Sequence, residues 1–390
     1  MSAANPKRVV CLSNVHDENY EALRDEAMEP CLSSAKRRDL YQCLELATGR
    51  QVVLLSAPPR AKARRSGRWL PPVQTRFSKH TQYVCRNWDG PKLRVPLGWF
   101  FYTHQALRQV RPGDVVVIDN YEFIYVVAAW CLRLFRRVHF VLEYEDGKHL
   151  IDRSWSRVLS GLAELLGRPL LHAALTAHPA LGHRLPSSLP REMVPGFIVK
   201  PAEARPPSRP GLTRFLYSGS LDTSRGIDLL LAALPLLPEA GWHLHVTGSG
   251  PLEAEVLRFA KSPVWIRKLT FHGYVSSGAA QKLLFECDVG LNCQKAGDPI
   301  SGVTFPSKIF TYLSASLVVL SSRASEVDTI CGPACVYFDQ DTPEALATVM
   351  IRAVQDLPGL RTHLDFRAVE TTYSLEGTTA RLNKLLAFLS

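Results

Sequence analysis

Short apolar runs alternate with helix-period segments over nearly the whole of this 390-residue chain, and that alternation leaves few folds open. "RVVCLS" (8–13), "QVVLLS" (51–56), "VVVID" (115–119) and "VHFVLEYE" (138–145) are each long enough for one buried strand. Between them, "AKRRDLYQCLELATG" (35–49) puts Leu40, Cys43, Leu44 and Ala47 on one helical face and ends at Gly49, a C-cap residue. Further helices are expected over 97–111, stopped by Pro112-Gly113, and over 123–135. Parallel strands cannot be joined by a tight hairpin and need a crossover, so strand, helix, strand at this spacing predicts βαβ units around a parallel sheet.

The pattern breaks once. "KPAEARPPSRPGL" (200–212) carries four prolines in thirteen residues and little apolar content, the composition of a linker. Beyond it the alternation resumes: "RFLYSG", "WHLHVTGSG", "LTFHGYV", "VGLNC" and "LVVLSS" read as strands, with helical segments between each pair. The expectation is an α/β protein of two doubly wound, Rossmann-like domains facing across a cleft. The first would cover 1–200 and a linker 201–212. The second would cover 213–365, with a C-terminal helix in 366–390 returning toward the first domain. About 390 residues suits two domains.

Composition narrows the setting. The longest apolar run near the middle, "FIYVVAAWCL" (123–132), is ten residues, short of the roughly twenty that span a bilayer. The N-terminus has no signal-peptide core, which predicts a cytoplasmic protein. Nine scattered cysteines show no CxxC spacing, so reduced thiols and no metal site are expected. Residues 1–200 hold 29 Lys and Arg against 18 Asp and Glu, whereas 201–390 hold 17 against 18. The positive excess therefore sits in the first half, partly in "RAKARRSGR" (60–68), and predicts contact with an anionic membrane face or a phosphorylated acceptor. Nucleic acid is not expected, because no basic–aromatic interleaving or known module accompanies the charge.

In an open parallel sheet, ligands bind beyond the carboxyl ends of the strands. The informative residues of the second half fall there: Gly219, Ser220, Arg225 and Gly226 after one strand, Gly248, Ser249 and Gly250 after the next, Gly273 and Tyr274 after a third. A loop 294–308 follows a fourth and ends at a helix start. Glycines admit a ligand to the backbone amides, helix starts add donors, and Arg225 and Lys308 add two cations. That set suits a diphosphate. "GSGPLE" lacks the third glycine of the dinucleotide fingerprint and "GSLDTSRG" is not a P-loop, which weighs against dehydrogenase and kinase chemistry. A cation at a helix N-terminus opposes the dipole unless an anion binds there. In the first half, Glu143, Glu145 and Asp146 end one strand, and Asn120 and Tyr121 follow another. Glu145 and Asp146 are candidates for holding ligand hydroxyls, one assisting deprotonation. His16, after the first strand, is a candidate ligand contact.

Taken together, "YSGSLDTSRGIDLLLAAL", "VTGSGPLE", "FHGYVS" and "FPSKIFTYLSASLVVLSS" resemble the nucleotide-sugar domain of retaining glycosyltransferases of the GT-B fold, the large family four group. "VPGFIVKP" is similar to that family's hinge and "VLEYEDGKHL" to a sugar-side segment of its polysaccharide-making members. The resemblance implies a retaining hexosyl transfer from a nucleotide-diphosphate sugar, UDP- before GDP-, to a glycan or lipid-linked acceptor in surface polysaccharide synthesis. It implies no cofactor and no strict metal requirement, with the protein peripheral on the inner membrane face. Arg225 then matches the basic residue on the donor diphosphate, and Gly273-Tyr274-Val275 the stretch meeting the nucleobase. Ser307 and Lys308 match the helix start under the phosphates, with Gly302 and Val303 in the preceding donor loop. Ser33 and Ser34 stand where the family has a small-residue acceptor loop. The resemblance also implies sugar hydroxyls as the ligands of Glu145 and Asp146, and the acceptor as that of His16. Two positions depart: Ser220 where many members have a second Arg, and Thr311 where a Glu usually holds the ribose, a hydroxyl giving the weaker bond. These departures keep a second possibility open, a GT-B-shaped nucleotide-sugar-binding or partner subunit without turnover.

Overall fold

Valine-, isoleucine- and leucine-rich strands, buried on both faces, run through the middle of two separate sheets, as parallel strands covered by helices must. The computed structural model describes residues 7–16, 18–24, 34–58, 67–90, 93–147, 150, 155–201 and 211–387. The chain divides into two compact units, Met1–Pro195 with Leu375–Ser390, and Gly196–Ser374.

The first unit is built on an eight-stranded sheet. Its strands in chain order are β1 (Val9–Leu12), β2 (Val52–Ser56), β4 (Val73–Phe77), β5 (His80–Val84), β7 (Val115–Asp119), β8 (His139–Tyr144), β9 (Ala173–Thr176) and β10 (Arg191–Met193), and their spatial order is β10-β9-β8-β7-β1-β2-β5-β4. Every pairing is parallel except β4 on β5. β3 (Trp69–Leu70) and β6 (Asn87–Trp88) form a small antiparallel pair beside it. The stretch 69–88 is a departure from the βαβ alternation. β4 and β5 alternate buried and accessible positions, the mark of a hairpin at a sheet edge.

The second unit carries β11 (Thr213–Ser218), β12 (Trp242–Thr247), β13 (Leu269–Phe271), β14 (Val289–Asn292), β15 (Val318–Ser322) and β16 (Val336–Phe338) in the order β13-β12-β11-β14-β15-β16, all parallel. The direction of winding reverses between β11 and β14, and at such a switch point the two carboxyl-end loops diverge and open a crevice. In the first unit the same reversal lies between β1 and β7.

The covalent boundaries differ from the expected ones. The second unit begins at Gly196 rather than 213, and residues 202–210 of the Pro-rich stretch lie outside the described residues. It ends at Ser374, so the helix Arg367–Tyr373 stays with it. Its two ends are tied together: Ile198 bridges Ser374, and the Ile198 amide donates to the Tyr373 carbonyl at 2.8 Å. The final helix, Leu375–Leu386, packs in the first unit on the helix Ser34–Thr48, where Asn383 Nδ2 donates to the Ala47 carbonyl (3.2 Å) and Arg381 pairs with Glu192 (2.8 Å). The described cysteines are all free thiols.

Two glycines hold the loops above the second sheet together. A Cβ on Gly248 (φ 138°) would lie 1.8 Å from the Gly219 carbonyl oxygen, and one on Gly226 (φ 72°) 1.8 Å from that of Cys293. Both contacts are backbone against backbone, so no rotamer change relieves them. Gly248→Ala is expected to destabilise the second unit by roughly 1–3 kcal/mol or more, lowering its melting temperature by several degrees, whereas Gly302→Ala, in open space at negative φ, leaves it nearly unchanged; differential scanning calorimetry separates the two.

Candidate functional site

The crevice at the β11–β14 switch point is assembled from three loops. After β11 the chain turns through Gly219 and Ser220 to Arg225, and Gly226 starts the helix Ile227–Ala233 from a left-handed conformation. Gly226 is needed there because the helix start rests on the Cys293 carbonyl, at the end of β14. After β12, Gly248-Ser249-Gly250 close over the first loop: the Leu221 amide donates to the Ser249 carbonyl at 3.0 Å, and the Gly248 amide to the Gly273 carbonyl at 2.9 Å.

Arg225 is fixed at both ends. Its amide donates to Asp222 Oδ1 at 2.9 Å, and its guanidinium donates to the side-chain oxygen of Gln294. Gln294 is fully buried and donates its own amide to Ser301 Oγ (2.9 Å) and Ser325 Oγ (2.6 Å), so its oxygen can only face the arginine. The partner is neutral: it orients the guanidinium without cancelling its charge. Lys308 opens the helix Lys308–Ser314 and lays its ammonium over the Tyr217 ring, 4.2 Å from the centroid. The Tyr217 hydroxyl in turn donates to the Ser220 carbonyl at 2.8 Å. A Cβ at 219 would stand 4.0 Å from Lys308 Nζ, in ordinary contact, so Gly219 lies directly beside the ammonium.

Among the described residues neither Arg225 nor Lys308 forms an ion pair. Burial pushes the Lys308 pKa down to about 8, and the positive charge of Arg225 pushes the same way, against Cys293 and Asp222. Burial works to raise the Asp222 carboxyl, but hydrogen bonds from Ser220, Ser224 and the Arg225 amide outweigh it and hold the group below the usual carboxylate range. One fixed anion thus shares the crevice with two cations, leaving a net positive site. Such a site can stabilise negative charge that grows on a bound phosphate.

The remaining positions are distributed as follows. Ser307 precedes Lys308 and is exposed, and Thr311 is exposed one turn further along the same helix. Tyr274 is exposed beyond Gly273, with Val275 partly buried after it. Gly302 ends a single 3-10 turn, Pro299–Gly302, before Val303; Asp298 caps it by accepting from the Ile300 amide at 3.0 Å. Among the described residues no group of three His, Cys, Asp or Glu side chains is placed to hold a metal ion.

In the first unit, the equivalent position above the sheet is occupied by a charge cluster in which Arg37 and Asp119, not suggested by residue patterns, join the expected Glu143 and Glu145. Arg37, buried on the helix Ser34–Thr48, reaches Asp119 Oδ1 at 2.6 Å, Glu145 Oε2 at 3.5 Å and Asn14 Oδ1 at 3.3 Å, and lies 4.0 Å from Glu143. Lys36 adds a contact to Glu145 at 3.4 Å. Glu145 is therefore already engaged by two cations. Asn120, in a left-handed conformation, is a clamp between strands: its side-chain oxygen accepts from the Glu145 and Asp146 amides, both at 2.9 Å. Tyr121 does not line an opening; it is buried edge-on to Tyr144 and rests against Gly167. His16 is buried after β1, near Tyr20 and 3.9 Å from Glu21. Ser34 begins its helix, while Ser33 lies outside the described residues, as does most of the basic run 60–68.

Gln294, Tyr217 and Asp222 are the residues of the second crevice that sequence reasoning missed. Each occupies a position that strand alternation or loop length could have marked, Gln294 standing two residues beyond β14.

Comparison with known proteins places residues 213–356 in a match to the family model described as "Glycosyl transferases group 1". No curated protein sequence matches the chain. Among solved structures, sucrose-phosphate synthase from Thermosynechococcus elongatus is similar over 98% of this chain and 99% of its own, at 14% identity and a TM-score of 0.70. HepE from Anabaena, in complex with UDP, is similar over 98% and 100%, at 12% identity and 0.65. The catalytic domain of starch synthase IV from Arabidopsis thaliana, bound to ADP and acarbose, is similar over 99% of each chain, at 9% identity and 0.67. At these identities the likeness is one of fold, and the fold is that of GT-B glycosyltransferases.

Two outcomes follow from the charges. Glu143 is pushed up to about 7, by burial first and by Glu145 second, with Arg37 opposing. The folded state then holds a proton that the unfolded chain releases near 4.5, so stability falls as pH rises from about 4.5 to about 7, by on the order of 1–3 kcal/mol. Glu143→Gln flattens that slope in denaturant titrations. For Lys308, an anion binds the ammonium form, so affinity for a nucleoside diphosphate is expected to fall as pH rises through about 8, approaching a tenfold loss per unit above it. Titration calorimetry between pH 7 and 9 reads the slope, and Lys308→Met lowers affinity and removes the pH dependence.

Proposed function

We propose that this chain, whose residues 213–356 match the group 1 glycosyl transferase family model, moves a sugar with retention from a nucleotide-diphosphate sugar to a glycan or lipid-linked acceptor in surface polysaccharide synthesis. The observation that carries the reading is the pair Arg225 and Lys308, held without ion pairs at the carboxyl ends of β11 and β14. When the bond from sugar to diphosphate breaks, negative charge grows on the β-phosphate. Arg225 and Lys308 stabilise it from fixed positions, with no reorganisation at the moment of reaction. Amides at Ser220 and Ser249, beside Gly219, Gly248 and Gly250, complete the diphosphate contact, whereas the Ser307 amide already donates to the Phe305 carbonyl at 2.9 Å and leaves that residue its exposed hydroxyl. Gly273, Tyr274 and Val275 meet the base through backbone and ring, and Gly302, Val303 and Thr311 bound the ribose side. HepE is a UDP complex, which supports UDP ahead of GDP here.

On the first unit, Glu145 and Asp146 hold sugar hydroxyls. Lys36 and Arg37 lie 3.4 and 3.5 Å from Glu145 and fix where its carboxylate would meet those hydroxyls. The positive excess of residues 1–200 favours an anionic membrane face, where a lipid-linked acceptor is found. A second reading is a nucleotide-sugar-binding subunit without turnover. It is favoured by Ser220, whose hydroxyl is turned to Asp222, and by Thr311, an exposed hydroxyl where a carboxylate would bind ribose more strongly.

A melting screen against UDP, GDP and their sugars tests the binding step. UDP at about 100 times its dissociation constant would stabilise the fold by about 2.7 kcal/mol, with GDP weaker. Donor hydrolysis then tests turnover: Arg225→Ala is expected to lower kcat by roughly 10²–10³, the loss typical of one oxyanion-stabilising donor. A flat melting response to every nucleotide sinks the donor site. Binding with equal inertness of wild type and Arg225→Ala over the donor panel selects the subunit without turnover.

A further inference from the structure

The helix Trp155–Gly167 of the first unit is turned inside out. Its leucines face solvent while its one carboxylate is buried: Val158 is 59% exposed, Leu162 43% and Leu165 67%, whereas Glu164 is 5% exposed. Glu164 is held inward by Arg184, 3.1 Å from its Oε1, and by Arg168. The neighbouring helix Phe123–Phe135 continues the surface. Leu134 is 72% exposed and Phe135 64%, and Trp130 joins the helices by donating its indole N–H to the Leu166 carbonyl at 3.0 Å. An aliphatic ridge of this kind is normally the buried side of a surface helix.

Within the two helices the exposed charge has one sign. Over 123–137 and 155–168 the basic residues are Arg133, Arg136, Arg137, Arg157 and Arg168, and the single acid is the buried Glu164. Arg133, Arg137 and Arg157 are exposed. Among the described residues no helix is long and apolar enough to cross a membrane, so the ridge does not belong to a spanning segment. An apolar ridge flanked by exposed arginines, with the buried Glu164 as the one carboxylate within the two helices and the exposed Glu122 at the N-terminal cap of Phe123–Phe135, matches the boundary of an anionic bilayer, where the side chains enter the acyl region and the guanidinium groups meet phosphates. Trp130, with one polar end and one apolar end, suits the same depth.

We propose that these two helices form a docking face for the surface of a bilayer containing anionic phospholipid, with Leu134, Phe135, Val158, Leu162 and Leu165 inserted and Arg133, Arg137 and Arg157 on the headgroups. The face lies within the first unit and shares no residue with the Arg225–Lys308 crevice, so it stands or falls separately from the donor reading. It also identifies the contact as apolar insertion, which net charge alone does not supply.

Co-sedimentation of the full chain with vesicles of phosphatidylcholine and phosphatidylglycerol in roughly equal parts tests it, with sizing by light scattering in the absence of lipid. Wild type is expected to sediment with these vesicles, more weakly with phosphatidylcholine alone, and to remain a monomer without lipid. The double variants Leu162→Asp with Leu165→Asp, and Leu134→Ser with Phe135→Ser, which alter only exposed side chains, should each weaken binding by about tenfold or more. Arg133→Glu with Arg137→Glu should weaken it and reduce its salt dependence. Equal sedimentation of wild type and both apolar variants overturns the proposal. So does a lipid-free wild-type dimer that either apolar variant converts to monomer, because the ridge is then an interface between copies. The UDP melting shift, read on the same samples, tracks the donor site independently.

Discussion

Close contact between backbones at the carboxyl ends of β11, β12 and β14 is what allows the second crevice to exist. The Gly248 Cα rests on the Gly219 carbonyl and the Gly226 Cα on the Cys293 carbonyl, with no room for a methyl group at either. Three loops that could otherwise move independently become one rigid rim. Rigidity matters because the rim carries charge. Two cations held near one another repel, and in a flexible loop they would swing apart or find carboxylates. Here Arg225 is held by Gln294 and Asp222, and Lys308 by a helix start and the Tyr217 ring.

The two units settle the same electrostatic problem in opposite ways. Both place cations above a parallel sheet at the point where winding reverses. In the first, Arg37 is surrounded by Asp119, Glu143 and Glu145, and the cluster is largely self-neutralising; its strain appears as protons held on carboxyls that would otherwise lose them. Burying a charge is tolerable only when it is paired and hydrogen-bonded, and the cluster meets that condition internally. In the second unit the compensation is missing, and the strain appears instead as a lysine whose proton is loosened. Arg37 with Asp119 and Glu143 therefore fixes architecture, joining the helix Ser34–Thr48 to β7 and β8, while the second site leaves its field directed outward.

How much of this is legible in the sequence depends on the range of the interaction. The alternation of strands and helices is a local pattern, and the parallel sheets follow from it. Gly219, Arg225, Gly248 and Lys308 are legible as residues that a strand end or helix start makes unusual. The hairpin β4–β5 is not, because its strands carry polar residues, Gln74 exposed and Gln82 buried on hydrogen bonds to the Val15 carbonyl and Ser56, where an apolar run would mark a strand. Nor are Arg37 and Asp119, which lie 82 positions apart and become partners only when β7 is laid beside β1. Tyr121 shows the converse: its place after a strand suggests an opening, but the ring turns onto Tyr144 and Gly167 in the core. The unit boundaries shift for a similar reason, since Ile198 and Ser374 meet only in the fold.

The choice of Gln294 as the partner of Arg225 is the finest of these distinctions. A glutamate there would hold the guanidinium more tightly, because two opposite charges would then face each other. It would also cancel the charge that an incoming phosphate must meet. Gln294 gives up that strength and recovers direction: Ser301 and Ser325 take both protons of its amide, so only its oxygen is left for the arginine. Ser325 reaches that position in a left-handed backbone conformation, φ 60°, which a serine adopts only at a cost of about 1–3 kcal/mol. The folded chain is thus less stable than it could be at the positions nearest the crevice. Such a deficit is expected where charge is prepared for a ligand, and an anion bound between Arg225 and Lys308 would offset it.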